Sequence, residues 1–190
     1  MRNPYEKCPV WENENYLLRL IKAEDATDLL AVYSDEKAVP FFNGDNCNGD
    51  DFHYTTPERM QGAVAFWEEA YTEKWFVRWT IIDRRIAKAV GTIELFRRNA
   101  PDYFNDCGLL RLDLRSDYER TEAIADILSL IVPPAFELFE CRMVATKVWQ
   151  YACARKAAVE KLGFALSEEM LVGGEDGRTY GDYYVLHREK

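Results

Sequence analysis

Two carboxylates lie inside segments that are otherwise strand-like. Glu94 belongs to the sequence GTIEL at 91–95, and Asp113 belongs to the alternating segment 108–115. A carboxylate held on a strand beside a cleft can accept a proton as a general base. Glu94 is the first candidate for that role and Asp113 is the second. The alternative for each is a charged side chain on an outward-facing side of the sheet.

The spacing of the histidine and cysteine residues does not favour a metal site or a nucleophile–base pair. The two histidines, His53 and His187, are far apart in sequence, and none of the five cysteines forms a CxxC pair. An odd cysteine count without such pairs argues against a zinc knuckle or a disulfide scaffold and favours a reducing compartment. Cys153 has no histidine nearby in sequence, so we expect it to behave as a small hydrophobic residue. We expect no metal site.

The net charge of −9 limits the class of partner. An acidic surface gains no counterion release from nucleic acid or anionic lipid, so we expect neither as a partner. It favours cationic ligands such as amines, and Asp45, Asp50 and Asp51 in the loop 40–56 could recruit one. The same residues are typical of a solvated surface, which is the interpretation we prefer. No apolar run approaches 18 residues and no signal peptide is visible, which predicts a cytoplasmic protein without a membrane segment.

The elements that position these residues follow from hydrophobic periodicity. Short or alternating apolar runs predict strands, and apolar residues at three- and four-residue spacing predict helices. The predicted order is β-α-α-β-β-β-α-β-α-β-β. The predicted strands cover 16–21, 75–82, 89–96, 108–115, 142–148, 164–171 and 180–187. The predicted helices cover 23–34, 57–74, 119–131 and 152–162.

Boundary signals support these helices. Thr56 precedes Pro57, so it is the expected N-cap of a helix with proline in its first turn. Pro133 and Pro134 are expected to end or kink the third helix, because proline lacks the amide hydrogen and clashes with the preceding turn, and residues 135–140 could add one more turn. Since no linker, repeat or low-complexity tract interrupts the chain, residues 1–190 are interpreted as a single α/β domain.

This order of elements resembles that of the GNAT superfamily of acyl-CoA-dependent N-acetyltransferases, and three stretches strengthen the match. AVEKLGF at 158–164 resembles the family's last helix, and GTIEL at 91–95 resembles its central strand. DYYVLHR at 182–188 resembles the closing strand of the branch that acetylates protein N-termini, as on ribosomal proteins, and amino sugars. The resemblance implies a mixed, mostly antiparallel sheet of about seven strands with helices on both faces.

The resemblance also implies a ligand and a reaction, in which acetyl-CoA donates its acetyl group to a primary amine of a small molecule or protein. In this fold the central strands splay apart, and one strand bonds the pantetheine chain. The next helix points its N-terminus at the pyrophosphate, where free amides and the helix dipole favour anions. By alignment the strand residues are Leu112, Asp113 and Leu114. The loop residues are Glu119, Arg120, Thr121, Glu122, Ala123 and Ile124.

Two parts of this implied site depart from the family pattern. The usual loop is Gln/Arg-x-x-Gly-x-Gly/Ala, but here Glu119 and Glu122 stand at its first and fourth positions. Two carboxylates beside a diphosphate repel it, by roughly 1 kcal/mol per pair at ~4 Å in water and about 4 kcal/mol near a protein surface. The family's Asn-x-Ala-Ser aligns with ACAR at 152–155, which keeps only the alanine.

Two functions therefore stay open. The first is an N-acetyltransferase with acetyl-CoA as donor, an amine as acceptor and Glu94 or Asp113 as base. The second is a catalytically impaired GNAT-fold module that binds a small ligand or a protein. Tyr118 and Tyr151 are candidates to protonate a leaving thiolate, although an isolated tyrosine is more often packed with its hydroxyl satisfied. The aromatic-rich segments leave a homodimer open.

Overall fold

The centre of the molecule is an eight-stranded sheet, seen in a computed structural model that describes residues 3–188. The strand order is β1-β2-β3-β4-β5-β6-β10-β7, and β8 and β9 form a separate hairpin. Within the sheet only β5 and β6 run parallel. The strands are Trp11–Glu12 (β1), Tyr16–Leu20 (β2), Val77–Asp83 (β3), Lys88–Arg98 (β4), Cys107–Leu114 (β5), Met143–Lys147 (β6), Ala165–Leu166 (β7), Leu171–Val172 (β8), Thr179–Tyr180 (β9) and Tyr183–His187 (β10). The α-helices are Ala26–Tyr33 (α1), Pro57–Thr72 (α2), Thr121–Leu138 (α3) and Cys153–Lys161 (α4).

The predicted fold class is confirmed, with small additions at the edges of the sheet. The two-residue strand β1 adds an edge strand before β2. The strand predicted over 164–171 is divided into β7 and β8, which belong to different sheets. No helix within residues 3–188 is long and apolar enough to cross a bilayer.

The two faces of the sheet carry different side chains, because successive strand residues point to opposite sides. On one face, Trp79, Ile93 and Leu112 belong to a core that also contains buried residues of α3 and α4. The other face carries polar side chains from the alternate positions of the same strands. There Tyr33 of α1 and Trp67 of α2 cover the sheet from a second apolar cluster.

The sheet opens between its two parallel strands. Strands β5 and β6 pair from Cys107 opposite Met143 to Leu110 opposite Thr146, and the pairing ends there. Strand β5 continues to Leu114, and over this stretch β4 is its sole partner among the described strands. The predicted splay therefore lies at Leu112–Leu114, as expected from the resemblance.

The helix boundaries confirm one local prediction and correct another. Thr56 caps α2 by accepting a 3.3 Å hydrogen bond from the amide of Arg59. Helix α3 does not end at Pro133 and Pro134 but continues to Leu138. Pro133 is exposed, so water can satisfy main-chain carbonyls that lose their helical partner, while the buried Ala135 keeps the last turn packed on the core.

Candidate functional site

The gap between β5 and β6 holds a side chain from α4. Arg155, the third residue of α4, is only 4 % exposed. Its Nη1 donates a 2.8 Å hydrogen bond to the main-chain carbonyl of Leu112. Leu112 lies beyond the last β5 residue that pairs with β6, so this carbonyl is one that the sheet leaves to another donor.

Glu119 holds Arg155 in this position. The Nε of Arg155 donates to Oε2 of Glu119 at 2.9 Å, and its Nη2 donates to Oε1, so the pair is bidentate. The two side chains are 5 % and 7 % exposed. Bidentate arginine–carboxylate pairs are among the stronger charge-assisted hydrogen bonds. Removing one partner of such a buried pair typically costs about 3–5 kcal/mol, because the other charge is left uncompensated.

Aromatic residues from two segments pack beside this ion pair. The guanidinium carbon of Arg155 lies 5.7 Å from the ring centroid of Phe41, and Phe41 lies 5.9 Å from Tyr151. Tyr151 stacks on Trp149 and donates its hydroxyl hydrogen to the main-chain carbonyl of Pro40. The segment after α1 is thus tied to the segment before α4, next to Arg155.

The other residues of the predicted cofactor loop lie at the N-terminus of α3, and they differ in burial and in hydrogen-bond partners. Arg120 is the exposed N-cap residue and Glu122 is also exposed. Thr121 donates from Oγ1 to the carbonyl of Ala154 at 3.3 Å. Ala123 and Ile124 are buried in the core below the sheet. The structure therefore brings Leu112, Glu119 and Thr121 together against α4, while the side chains of Arg120 and Glu122 face solvent.

A charged row crosses the other face of the sheet. In the strand register Arg78 lies opposite Glu94, and Glu94 lies opposite Arg111. Glu94 accepts from Nη1 of Arg111 at 2.8 Å through one oxygen and from Nη2 of Arg78 through the other. Glu94 is buried, so it is not an outward-facing charge. Burial alone would raise its pKa, but Arg78 and Arg111 outweigh that effect and lower it.

Asp113 belongs to the same network, two residues after Arg111 on the same face of β5. It accepts hydrogen bonds from the hydroxyl of Tyr33 at 2.8 Å and from Nη1 of Arg78 at 3.0 Å. Burial and the charge of Asp113 hold the pKa of Tyr33 well above its ordinary value. A general base needs a free lone pair and a pKa near the working pH. The roles assigned to Glu94 and Asp113 stay predictions, and these ion pairs argue against them.

The two tyrosines considered as acids are both engaged elsewhere. Tyr118 donates its hydroxyl hydrogen to Asp83 at 2.8 Å, and burial raises the pKa of Tyr118 to about 12. Tyr151 uses its hydroxyl on the carbonyl of Pro40. Each hydroxyl therefore has a structural partner, as expected for packed tyrosines.

A cavity of about 700 Å³ lies between α2 and the charged row. Arg78, Glu94 and Arg111 form its inner wall, and Arg59 and Asp50 also line it. Its volume falls within the usual range for small-molecule sites, roughly 300–1,000 Å³. The remaining wall is rich in aromatic residues, namely Phe52, Tyr54, Phe66, Trp67, Trp75, Phe76 and Phe96.

Ion pairs hold the acidic loop 40–56, and two of its carboxylates, those of Asp45 and Asp50, are paired with basic side chains. Asp45 is buried and accepts from Nζ of Lys147 at 2.6 Å and from the hydroxyl of Tyr183 at 3.0 Å. Asp50 pairs with Arg59 at 2.9 Å. Across residues 3–188, no group of three or more histidine, cysteine or acidic residues is arranged to hold a metal ion.

Sequence reasoning missed the three arginines that organise these sites: Arg78, Arg111 and Arg155. The signal for the first two was available, because Arg78 and Arg111 alternate with apolar strand residues on the same face as Glu94. The signal for Arg155 was its place in the ACAR segment, where the family has serine. Its partner Glu119 is 36 residues away in sequence, and only the fold brings them together.

The chain is similar to known proteins in its fold and not in its sequence. No family model matches the sequence, and no curated protein matches it at a significant level. Solved structures do match over nearly the whole chain. One, assigned as a ribosomal-protein-serine acetyltransferase from Vibrio cholerae, has a TM-score of 0.70 at 12% identity, covering 98% of this chain and 100% of its own. A GNAT-family acetyltransferase from Bacillus anthracis has a TM-score of 0.68 at 12% identity, covering 94% and 98%.

A third similar structure has a relevant ligand. The microcin C7 self-immunity acetyltransferase, solved with acetyl-CoA and AMP, has a TM-score of 0.68 at 13% identity and covers 93% of this chain and 94% of its own. Acetyl-CoA is the ligand that the sequence resemblance implies. Identities this low are informative about architecture alone. The order of elements, the opened pair β5 and β6 and these three likenesses together give this chain the fold of the GNAT acetyltransferases.

Proposed function

We propose that this chain is a GNAT-fold ligand-binding protein whose acyl-CoA cleft is closed by its own side chains. The observation that carries the proposal is the hydrogen bond from Arg155 to the carbonyl of Leu112, made inside the opened part of the sheet. The ligand of this protein binds instead in the aromatic cavity on the opposite face, beside Arg78 and Arg111.

The residues of the cleft do not fit acetyl-CoA in this arrangement. The strand carbonyl that the resemblance assigns to the pantetheine chain already accepts from Arg155, which is itself paired with Glu119. Exposed Glu122 adds a second carboxylate at the start of α3, where a pyrophosphate would need positive potential. Opening the cleft would separate a buried ion pair, at a cost of several kcal/mol before any ligand contact forms.

A second candidate function is acetyl transfer from acetyl-CoA to a primary amine. It is favoured by the retained splay at Leu112–Leu114 and by the acetyl-CoA bound in the similar self-immunity acetyltransferase. This function requires Arg155 to leave the cleft. It also requires a general base. Glu94 could serve only if it were released from Arg78 and Arg111, and otherwise another group must take the proton.

Calorimetric titration with acetyl-CoA separates the two functions. The wild-type protein is expected to give no binding heat at about 1 mM acetyl-CoA, which corresponds to an affinity weaker than roughly 4 kcal/mol. The matched control Lys156→Ala changes an exposed residue beside Arg155 and is expected to behave like wild type. A triple variant that places the family residues at three of the changed positions, E119Q/E122G/R155S, is expected to gain binding. Binding by the wild type with a Kd below about 100 μM, followed by acetylation of an amine, would establish the second function instead.

A further inference from the structure

The aromatic cavity is lined by three arginines that already occupy ring faces. The guanidinium carbon of Arg59 lies 4.5 Å from the ring centroid of Tyr54, and that of Arg78 lies 4.2 Å from Trp67. Arg111 lies 5.8 Å from Phe96. Aromatic faces attract cations through their quadrupole, and here that attraction is satisfied by the protein's own side chains.

The acidic residues of the cavity are largely neutralised by the same arginines. Asp50 pairs with Arg59, and Glu94 is shared between Arg78 and Arg111. Glu175 is the acidic residue that opposes this pattern, since it lines the cavity from an exposed loop. The lining therefore has three arginines and three carboxylates, so its formal charges balance. However, the Nε atoms of Arg78 and Arg111 are buried donors without a hydrogen-bond partner among the described residues, which favours a ligand with acceptor oxygens over a cation.

Resting on the proposed function, in which this cavity is the ligand site, we propose that the ligand is a flat aromatic molecule that carries a carboxylate. Its rings would lie against Phe66 and Trp75, which are 48% and 53% exposed. The ring centroids of these two residues are 6.1 Å apart. Its carboxylate would meet Arg59, which is 55% exposed, and Arg111, which lines the cavity and whose Nε has no hydrogen-bond partner within residues 3–188. This charge is opposite to the amine that the net charge of the chain favours.

A matched series of indoles tests which sign of ligand charge the cavity prefers, because the aromatic ring stays the same while the charge of the side group changes. We would titrate the full chain by calorimetry with indole-3-acetate, the neutral indole-3-acetamide and tryptamine at low and moderate salt. Indole-3-acetate is expected to bind about tenfold more tightly than tryptamine, with the amide between them. The preference is expected to narrow as salt rises, because Arg59 is solvent-exposed.

Three variants locate the binding. Arg59→Ala is expected to weaken indole-3-acetate about fivefold and to leave tryptamine unchanged or slightly tighter. Ala63→Leu fills the cavity from the buried side of α2 and is expected to abolish binding, whereas Ala65→Leu on the exposed side of α2 is the matched control. Circular dichroism melting establishes that each variant is folded. If Ala63→Leu does not fold, the exposed Arg59→Ala still decides the result.

Tryptamine binding as tightly as indole-3-acetate, or the absence of heat with all three indoles, would overturn this inference. An Arg59→Ala variant that binds indole-3-acetate as well as wild type would overturn it too. These failures differ from failure of the proposed function. Acetyl-CoA binding would refute the closed cleft, whereas a preference for tryptamine would refute only the charge assigned to the ligand.

Discussion

The guanidinium of Arg155 lies 2.8 Å from the carbonyl oxygen of Leu112, in the part of the sheet where β5 has no partner on one side. This contact links α4 to the strand edge that opens the sheet. Glu119 at the entry to α3 completes it, so three elements meet on one side chain.

The ion pair between Arg155 and Glu119 is expected to contribute to stability as a unit. Arg155→Ala should lower the free energy of unfolding by about 3–5 kcal/mol, because Glu119 is left as an unpaired buried charge. The neutral double variant E119Q/R155A should lose less than the sum of the single changes E119Q and R155A, with a coupling energy of about 1–3 kcal/mol. Urea denaturation of the four proteins measures this cycle. Strict additivity of the two changes would contradict a direct pair.

Glu94 is expected to make stability depend on pH in a defined direction. Its pKa is lowered in the folded state, so its contribution is complete above the ordinary glutamate pKa of about 4.3 and is lost as pH falls through the folded value. Glu94→Gln should therefore lower the free energy of unfolding by about 3 kcal/mol at pH 7 and by less at pH 3. The exposed Glu160→Gln is the control, with a change within about 0.5 kcal/mol. An equal difference at both pH values would rule out this ionised network.

The pair between Asp45 and Lys147 is expected to hold the loop 40–56 on the sheet. Both side chains are buried, with Nζ and Oδ2 at 2.6 Å. Asp45→Asn should destabilise the protein by about 3–5 kcal/mol and should raise amide hydrogen exchange in the loop above that elsewhere. Asp51→Asn, which changes an exposed residue of the same loop, is the control. Exchange that rises equally throughout the protein would show that the pair has no local role.

Gly91 is expected to be required by the close approach of β4 and β5. A Cβ at this position would lie 2.2 Å from the main-chain oxygen of Asp113. Gly91→Ala should therefore lower the free energy of unfolding by about 1–3 kcal/mol through overpacking. Gly62→Ala is the matched control, because it lies in helix α2 with open space around it, and it should stabilise by up to about 1 kcal/mol. A Gly91→Ala protein as stable as wild type would refute this reason for the glycine.

The architecture was accessible from sequence because its signals are local. Strand periodicity and the cap at Thr56 depend on neighbouring residues and predicted the order of elements, whereas the opened strand pair was implied only by the resemblance to the GNAT family. A further turn over 135–140 was left open by the sequence, but the unbroken run of α3 through Pro133 to Leu138 was less accessible, because tertiary packing of residues such as Ala135 outweighs the local breaker.

The candidate sites were less accessible, because their key contacts join distant segments. Glu119 was identified as an unfavourable residue for a phosphate, but its actual partner, Arg155, could not be inferred without the fold. Glu94 was identified as an unusual carboxylate in a strand, yet its environment depends on strand register with Arg78 and Arg111.

The most direct test of the closed cleft is nuclear magnetic resonance of the Arg155 side chain. The Nε–H resonance, assigned by its loss in Arg155→Lys, should exchange slowly with water because this hydrogen is buried and bonded to Glu119. It should also be unchanged by about 1 mM acetyl-CoA. Rapid exchange of that hydrogen, or a shift of its resonance that saturates with added acetyl-CoA, would contradict the account.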